Sequence, residues 1–152
     1  TASSEPRRVR NRQRAAAPHR VPGMGLRTLP VLTPDTVRGR TVFDSTCTRC
    51  HGADGLGTPI APPLWGPRSF NVGAGLARLR SAASFIRDNM PNDRAVVLSD
   101  QQAFDVAAYM LSRPRPDFAR KGDDWPNGDP PPDVAYPTWA ATLKASGTLP
   151  KP

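Results

Sequence analysis

The chain contains the stretch Cys47-Thr48-Arg49-Cys50-His51, in which two thiols lie three positions apart and an imidazole follows the second. This C-x-x-C-H spacing is the attachment signature of a c-type haem. Two thiols at this spacing can add to the two vinyl groups along one porphyrin edge, and the adjacent imidazole then reaches the iron. The sequence therefore predicts one covalently attached haem c, bound through Cys47 and Cys50, with His51 as an iron ligand.

Three alternative roles for the motif fit the chain less well. A zinc site needs four ligands, and outside the motif the 152 residues offer no further cysteine and only one histidine, His19. A thioredoxin-like redox pair requires a βαβ context, and no alternating strand pattern occurs anywhere in the chain. A structural disulfide between Cys47 and Cys50 would leave His51 without a role.

The residues around the motif predict an all-α body over residues 33–113. Thr33-Pro34-Asp35 has the features of a helix start, namely an N-cap hydroxyl, a proline at the first helical position and an acid in the first turn. This helix is expected to run to about Cys47, with Val37, Val42 and Phe43 on its apolar face. Residues 52–73 follow as a loop rich in glycine and proline.

The second half of the body predicts three helical segments. A short one is expected over residues 76–79, and another over residues 81–89, where Phe85 and Ile86 are buried. The closing helix begins at Ser99, which forms a capping box with Gln102, and it ends before Pro114. A body of this size is small for independent stability, and a buried haem would supply the missing apolar volume.

The second iron ligand is predicted to be Met90. The candidates for this position are a thioether, an imidazole, a thiolate or water, and His19 lies in a basic arm remote from the motif. Met24 lies upstream in a segment rich in proline and glycine, and Met110 lies within the closing helix. Met90 comes 39 residues after His51 and ends a helix, so a loop there can turn its thioether towards the iron.

Basic charge is concentrated in an N-terminal arm, residues 1–32. The first 27 residues hold seven arginines against one acid, Glu5, out of a net charge of +8 for the whole chain. The arm is either a solvated leader or a contact for an acidic protein partner. It lacks the interleaved aromatic side chains that stack on bases, so we expect no nucleic acid partner, and peripheral membrane association stays open.

Proline is concentrated in a C-terminal extension, residues 114–152, which holds nine of the 19 prolines. This density excludes long helices and central strands. Trp125, Tyr136 and Trp139 are unusual for a disordered tail, so the extension is expected to lie as an extended strap on the body or on a partner. No apolar run approaches the roughly 20 residues that a membrane-spanning helix needs, so we expect no transmembrane segment.

These features together resemble class I cytochromes c, in which a first helix leads into C-x-x-C-H and a Met-Pro loop precedes a closing helix. The resemblance implies that Gly39, Phe43 and Tyr109 lie where the first and last helices cross. It also implies that the carbonyl of Pro62 or Pro63 accepts a hydrogen bond from the His51 ring, which would fix the ring and raise its basicity as a ligand.

A narrower resemblance, over about residues 33–136, is to the second, His/Met-ligated haem domain of the dihaem thiosulfate dehydrogenases. It is carried by four strings: Pro62-Pro63-Leu64-Trp65-Gly66-Pro67-Arg68-Ser69-Phe70-Asn71, Phe85-Ile86-Arg87-Asp88-Asn89-Met90-Pro91, Asp105-Val106-Ala107-Ala108-Tyr109 and Ser112-Arg113-Pro114-Arg115-Pro116. In that family the substrate reacts at the first haem, whose distal ligand is a cysteine. This chain has one C-x-x-C-H and no third cysteine, so no catalytic residue is carried over.

The resulting expectation is a periplasmic monohaem cytochrome that transfers single electrons between redox partner proteins and is not itself an enzyme. It would act as a free carrier, or as a subunit of a stable complex held by its two tails. Trp65 and Arg68 are expected either to contact the haem propionates or to be a packed ring and a solvated charge. The alternative function is a haem subunit or an enzyme that oxidises thiosulfate or a related sulfur compound.

Overall fold

In the computed structural model, residues 28–94 and 97–147 are described, and they form five short α-helices without a β-sheet. The helices are α1 (Thr36–Val42), α2 (Thr48–His51), α3 (Leu79–Asn89), α4 (Asp100–Leu111) and α5 (Trp139–Ala145). The all-α expectation is confirmed. The predicted basic arm falls almost entirely outside the described residues.

The first helix begins two residues later than the sequence suggested. Its N-cap is Asp35, whose carboxylate accepts hydrogen bonds from the backbone N–H groups of Val37 and Arg38 at 2.8 and 3.0 Å. Thr33 as the N-cap was therefore wrong, because aspartate caps a helix as well as threonine does. The placement of Val37 on the apolar face was also wrong, since its side chain is 76% exposed.

The helical backbone continues from α1 into the haem motif. A π-helical turn, Phe43–Cys47, joins α1 to α2, so helical structure reaches His51 rather than ending near Cys47. Single π-turns within helices are rare and occur often at functional sites. The continuous backbone fixes both thiols and the imidazole relative to α1.

Helices α1 and α4 cross in direct backbone contact at Gly39. A Cβ atom at this position would lie 2.0 Å from the carbonyl oxygen of Asp105, so only glycine permits the approach. Beside the crossing, the rings of Phe43 and Tyr109 lie 5.6 Å apart. The crossing residues are those that the resemblance implied.

A buried carboxylate fixes the same crossing. Asp105 on α4 is 2% exposed and accepts hydrogen bonds from the Arg38 guanidinium at 2.7 and 3.0 Å, from Gln101 at 2.8 Å and from the backbone N–H of Asp35 at 2.8 Å. Burial by itself would raise the pKa of Asp105, but these donors stabilise the ionised form and lower it below the ordinary value.

The second half of the body largely follows the prediction. The capping box of Ser99 and Gln102 is present at the start of α4. A 3₁₀ turn, Gly75–Ala77, replaces the short helix expected over residues 76–79, and α3 then begins at Leu79. Ile86 is buried, whereas Phe85 is only half-buried.

The chain after α4 lies first along the loop before α3. The backbone N–H groups of Gly66 and Val72 donate to the carbonyl oxygens of Pro114 and Pro116 at 2.7 and 3.0 Å. Farther on, α5 was not predicted, and it begins where Thr138 accepts a hydrogen bond from the N–H of Ala141. Within the described ranges, no helix is both long and apolar enough to cross a membrane.

We expect Asp105→Asn to lower the free energy of unfolding at neutral pH by about 1–3 kcal/mol, because it leaves buried donors poorly matched. The folded-state pKa of Asp105 lies below the unfolded value of about 4. Its stabilisation is therefore complete above that value and is lost as the pH falls through the folded-state pKa. The difference between variant and parent should shrink in the same acidic window.

The measurement is urea unfolding of the haem-loaded protein at a series of pH values. Asp123→Asn is the matched control, because Asp123 forms an exposed pair with Arg120 at 3.2 Å, and such pairs contribute little. Equal stability of the Asp105 variant and the parent at pH 7 would contradict the role assigned to this carboxylate.

Candidate haem-binding site

The haem motif faces an apolar cavity of about 480 Å³ enclosed by the helical body. Its wall combines residues from the π-turn and α2, the loop after α2, α3 and α4. The apolar part of the wall includes Phe43, Leu64, Phe70, Phe85, Ile86 and Leu98. Cys47, Cys50, His51 and Met90 all line this one cavity, although they come from two separate parts of the sequence.

The two thiols of the motif are held on a rigid turn. Cys47 ends the π-turn and Cys50 lies in α2, and no disulfide joins them. Burial, with a smaller effect from Cys50, raises the pKa of Cys47 to about 11, so this thiol is neutral at physiological pH. Neither cysteine is tied up in a disulfide, and addition to vinyl groups requires such free thiols.

The ring of His51 is buried and oriented by one hydrogen bond. Its Nδ1 lies 2.7 Å from the carbonyl oxygen of Pro62, and because a carbonyl only accepts, Nδ1 carries the proton. In the neutral ring, Nε2 is then the nitrogen available to bind a metal, and the hydrogen bond at Nδ1 raises the basicity of such a ligand. Of the two prolines that the resemblance offered, the structure selects Pro62.

Three residues proposed from the sequence as haem contacts lie outside the wall of this cavity. Pro63 packs its backbone against Gly57. Trp65 packs on Gly55 and between the rings of Phe43 and Tyr109, with centroids 5.0 and 5.8 Å away.

Arg68 is the third of these residues. Its side chain is exposed, donates to the carbonyl of Leu56 at 3.3 Å and lines an open depression formed with residues 56–63, which adjoins the haem cavity at Ile60, Ala61 and Pro62. Neither Trp65 nor Arg68 lines the cavity, and a contact of either residue with a haem propionate stays a prediction.

Met90 enters the cavity from the end of α3. It is the C-cap residue, its N–H donates to the carbonyl of Ile86 at 2.9 Å, and its backbone is extended rather than helical. The change from helical to extended backbone allows its half-buried side chain to leave the helix axis for the cavity. A second thioether, that of Met110 on α4, also lines the wall.

Sequence reasoning did not find an ion pair at the edge of the cavity. Arg49, within the C-x-x-C-H motif, donates to Asp93, which follows Met90 by three residues. The pair is exposed and joins the Met90 loop to α2. No sequence signal links two residues 44 positions apart, so only the tertiary structure brings them together.

The residues present fit a covalently attached haem. Two free thiols, a buried imidazole whose Nδ1 already has an acceptor, and a thioether all line one apolar cavity of a size typical for cofactors. A bound haem supplies one-electron redox chemistry, and these side chains would attach it, ligate its iron and keep water from it.

The chain matches one protein-family model and is similar to several known proteins. The family model described as cytochrome C oxidase, cbb3-type, subunit III matches residues 34–110. Thiosulfate dehydrogenase from Psychrobacter arcticus is 48% identical over 109 residues, which are 68% of this chain and 33% of that protein. Thiosulfate dehydrogenase from Allochromatium vinosum is 47% identical over 116 residues, which are 72% of this chain and 41% of that protein.

A solved structure of a protein with the same name is also similar to this chain. The thiosulfate dehydrogenase (TsdBA) from Marichromatium purpuratum, in its as-isolated form, is 38% identical with a TM-score of 0.56, over 72% of this chain and 26% of that chain. The chain thus matches one part of longer proteins, spanning between a quarter and two fifths of their lengths. The family match together with the C-x-x-C-H motif shows that the cofactor is covalently bound haem c.

These relatives correct one expectation from the sequence. The chain was expected to act in electron transfer and not as an enzyme. Four relatives, 44–48% identical, are named thiosulfate dehydrogenase, which is an enzyme. The expectation was wrong because this chain is itself similar to part of proteins that carry the name of an enzyme.

We expect Met90→Leu to remove the weak far-red absorption band of methionine-ligated ferric haem, because leucine conserves volume but offers no sulfur ligand. The ratio of ferrous to ferric protein at a given solution potential should fall as well, since a thioether ligand favours ferrous iron. Absorption spectroscopy during a redox titration measures both effects.

The matched control is Met110→Leu, which changes the second thioether in the same cavity wall and should leave the far-red band in place. The assignment of Met90 fails if the band survives in Met90→Leu, or if it disappears in Met110→Leu instead.

Proposed function

Because this chain belongs to the cytochrome c family, we propose that it forms the electron-transfer haem domain of an enzyme that oxidises thiosulfate or a related sulfur compound. The observation that carries the proposal is the convergence of an imidazole and a thioether on one cavity, His51 and Met90, in a domain similar to part of the thiosulfate dehydrogenases. Two protein ligands leave the iron no open position for a substrate, which suits a relay of electrons.

One exposed residue of the cavity wall, Ile60, gives the proposed electron transfer a route to the protein surface. The apolar wall excludes water and so favours the less charged state of the centre, as the Met90 thioether does. Ile60, which lines the cavity, is 78% exposed. An electron partner could therefore approach the haem closely at Ile60 without any residue of the core having to move.

The proposed partner is a second redox centre, on another domain or another subunit, at which the sulfur compound gives up its electrons. The relatives extend far beyond the region that this chain matches, which supports such an arrangement. The proposed compartment is the bacterial periplasm, because covalent haem attachment to reduced thiols takes place outside the bacterial cytoplasm.

The test is to tag the chain in the cell that makes it, purify it at low ionic strength with whatever stays bound, and add thiosulfate to the ferric form. We expect the haem to become ferrous, which visible absorption reports directly. Low ionic strength matters because weak contacts between electron-transfer partners are often salt-sensitive.

Sulfate is the matched control compound, since its sulfur is fully oxidised and has no electrons to give. Dithionite added afterwards measures how much haem is competent for reduction. Full reduction by dithionite with none by thiosulfate, in the assembly as purified, would refute the proposed function.

A further inference from the structure

One ion pair joins the two segments that carry the proposed iron ligands. Arg49 lies in α2, between the two cysteines of the motif and two residues before His51. Its guanidinium donates to the carboxylate of Asp93, three residues after Met90. The residues of the pair and both proposed ligands line the same haem cavity. The pair therefore lies at the site itself and not elsewhere on the surface.

The Met90 loop, residues 90–94, has few other polar contacts with the domain. Pro91 is buried and lines the cavity, whereas residues 92–94 are exposed. The N–H of Arg94 donates to the carbonyl of Pro91 at 2.9 Å, which closes a turn within the loop itself. Among the described residues, Asp93 makes the one side-chain hydrogen bond between residues 91–94 and another element. The ion pair is therefore the polar link that holds this side of the loop against α2.

On its other side, Met90 is attached to the end of α3. Its N–H donates to the carbonyl of Ile86 at 2.9 Å, and its backbone is already extended. The thioether thus leaves the chain between two attachments, α3 before it and the ion pair after it. Contacts outside the ligands themselves orient metal ligands and tune their binding, and a loop held on both sides favours a bound thioether.

We propose that Arg49 and Asp93 are positioning residues for the Met90 ligand, because their ion pair holds the Met90 loop against the haem motif. The pair would shift the equilibrium between iron bound to the thioether and iron open to an outside ligand. The two side chains are 61% and 50% exposed, and exposed pairs contribute little, so the shift should be about two- to fivefold. The inference rests on haem attachment and on Met90 as a ligand, and not on the identity of the sulfur compound.

The experiment measures how readily neutral imidazole displaces the thioether from the ferric, haem-loaded protein. Loss of the far-red band reports the apparent affinity, after a pyridine haemochrome spectrum has shown that each variant carries haem. We expect the affinity for imidazole to rise about two- to fivefold in Asp93→Asn and by a similar factor in Arg49→Gln. The variant with both changes should show no further rise, because both changes break the same contact.

The matched control is Asp44→Asn. Asp44 forms a similarly exposed pair with Arg40 at 3.5 Å, and neither residue lines the cavity, so this variant should bind imidazole as the parent does. Salt gives a second control, since a Debye length of about 3 Å at about 1 M salt screens exposed charges. The parent should then approach Asp93→Asn, whose own affinity should change little.

The Met90→Leu background separates positioning of the ligand from a general loosening of the domain. Imidazole has no thioether to displace there, so adding Asp93→Asn should leave its affinity, read from the Soret band, unchanged. Asp93→Asn changes no residue of the motif, and it carries the test alone if Arg49→Gln does not acquire haem.

Equal imidazole affinity of Asp93→Asn and the parent at low salt would overturn the proposal. A rise of the same size in the Met90→Leu background would overturn it as well, and so would additive effects of Asp93→Asn and Arg49→Gln. None of these results would affect the thiosulfate assay, because that assay asks only whether electrons from the sulfur compound reach the haem.

Discussion

The backbone contact between α1 and α4 at Gly39 is the constraint on which the haem site depends. The space that glycine leaves lets the two helices touch, and the buried carboxylate of Asp105 then locks α1 to α4 through Arg38. Because helical backbone runs without interruption from α1 through the π-turn to His51, this lock also sets the position of the thiols and the imidazole.

The same arrangement accounts for a large cavity within so small a body. The π-turn and helices α2, α3 and α4 surround a volume that their own side chains do not fill, and the residues facing it are mostly apolar. An empty apolar cavity of this size is costly, whereas a covalently held haem replaces it with dispersion contacts. The cofactor is therefore part of the core as well as the redox centre, and the function and stability of the domain are linked.

Sequence reasoning succeeded where the deciding interactions are local. The C-x-x-C-H motif, the capping box at Ser99 and the approximate spans of the three principal helices depend on residues a few positions apart. The ends of the helices, and contacts between distant segments such as that of Arg49 with Asp93, were not predicted from the sequence. Asp35 replaced Thr33 as the N-cap because its N–H and carboxylate each find partners, one of them on α4.

By itself, the sequence determined the cofactor and the all-α class, and it predicted Cys47, Cys50 and His51 as the residues that hold the haem, since each follows from short-range spacing and periodicity. The tertiary structure alone decided that Pro62 rather than Pro63 accepts the bond from His51, that Arg68 donates to the carbonyl of Leu56, and that Arg49 pairs with Asp93. The physical reason is that a charge or a carbonyl takes its role from what surrounds it, and those surroundings are assembled by contacts between segments far apart in the chain.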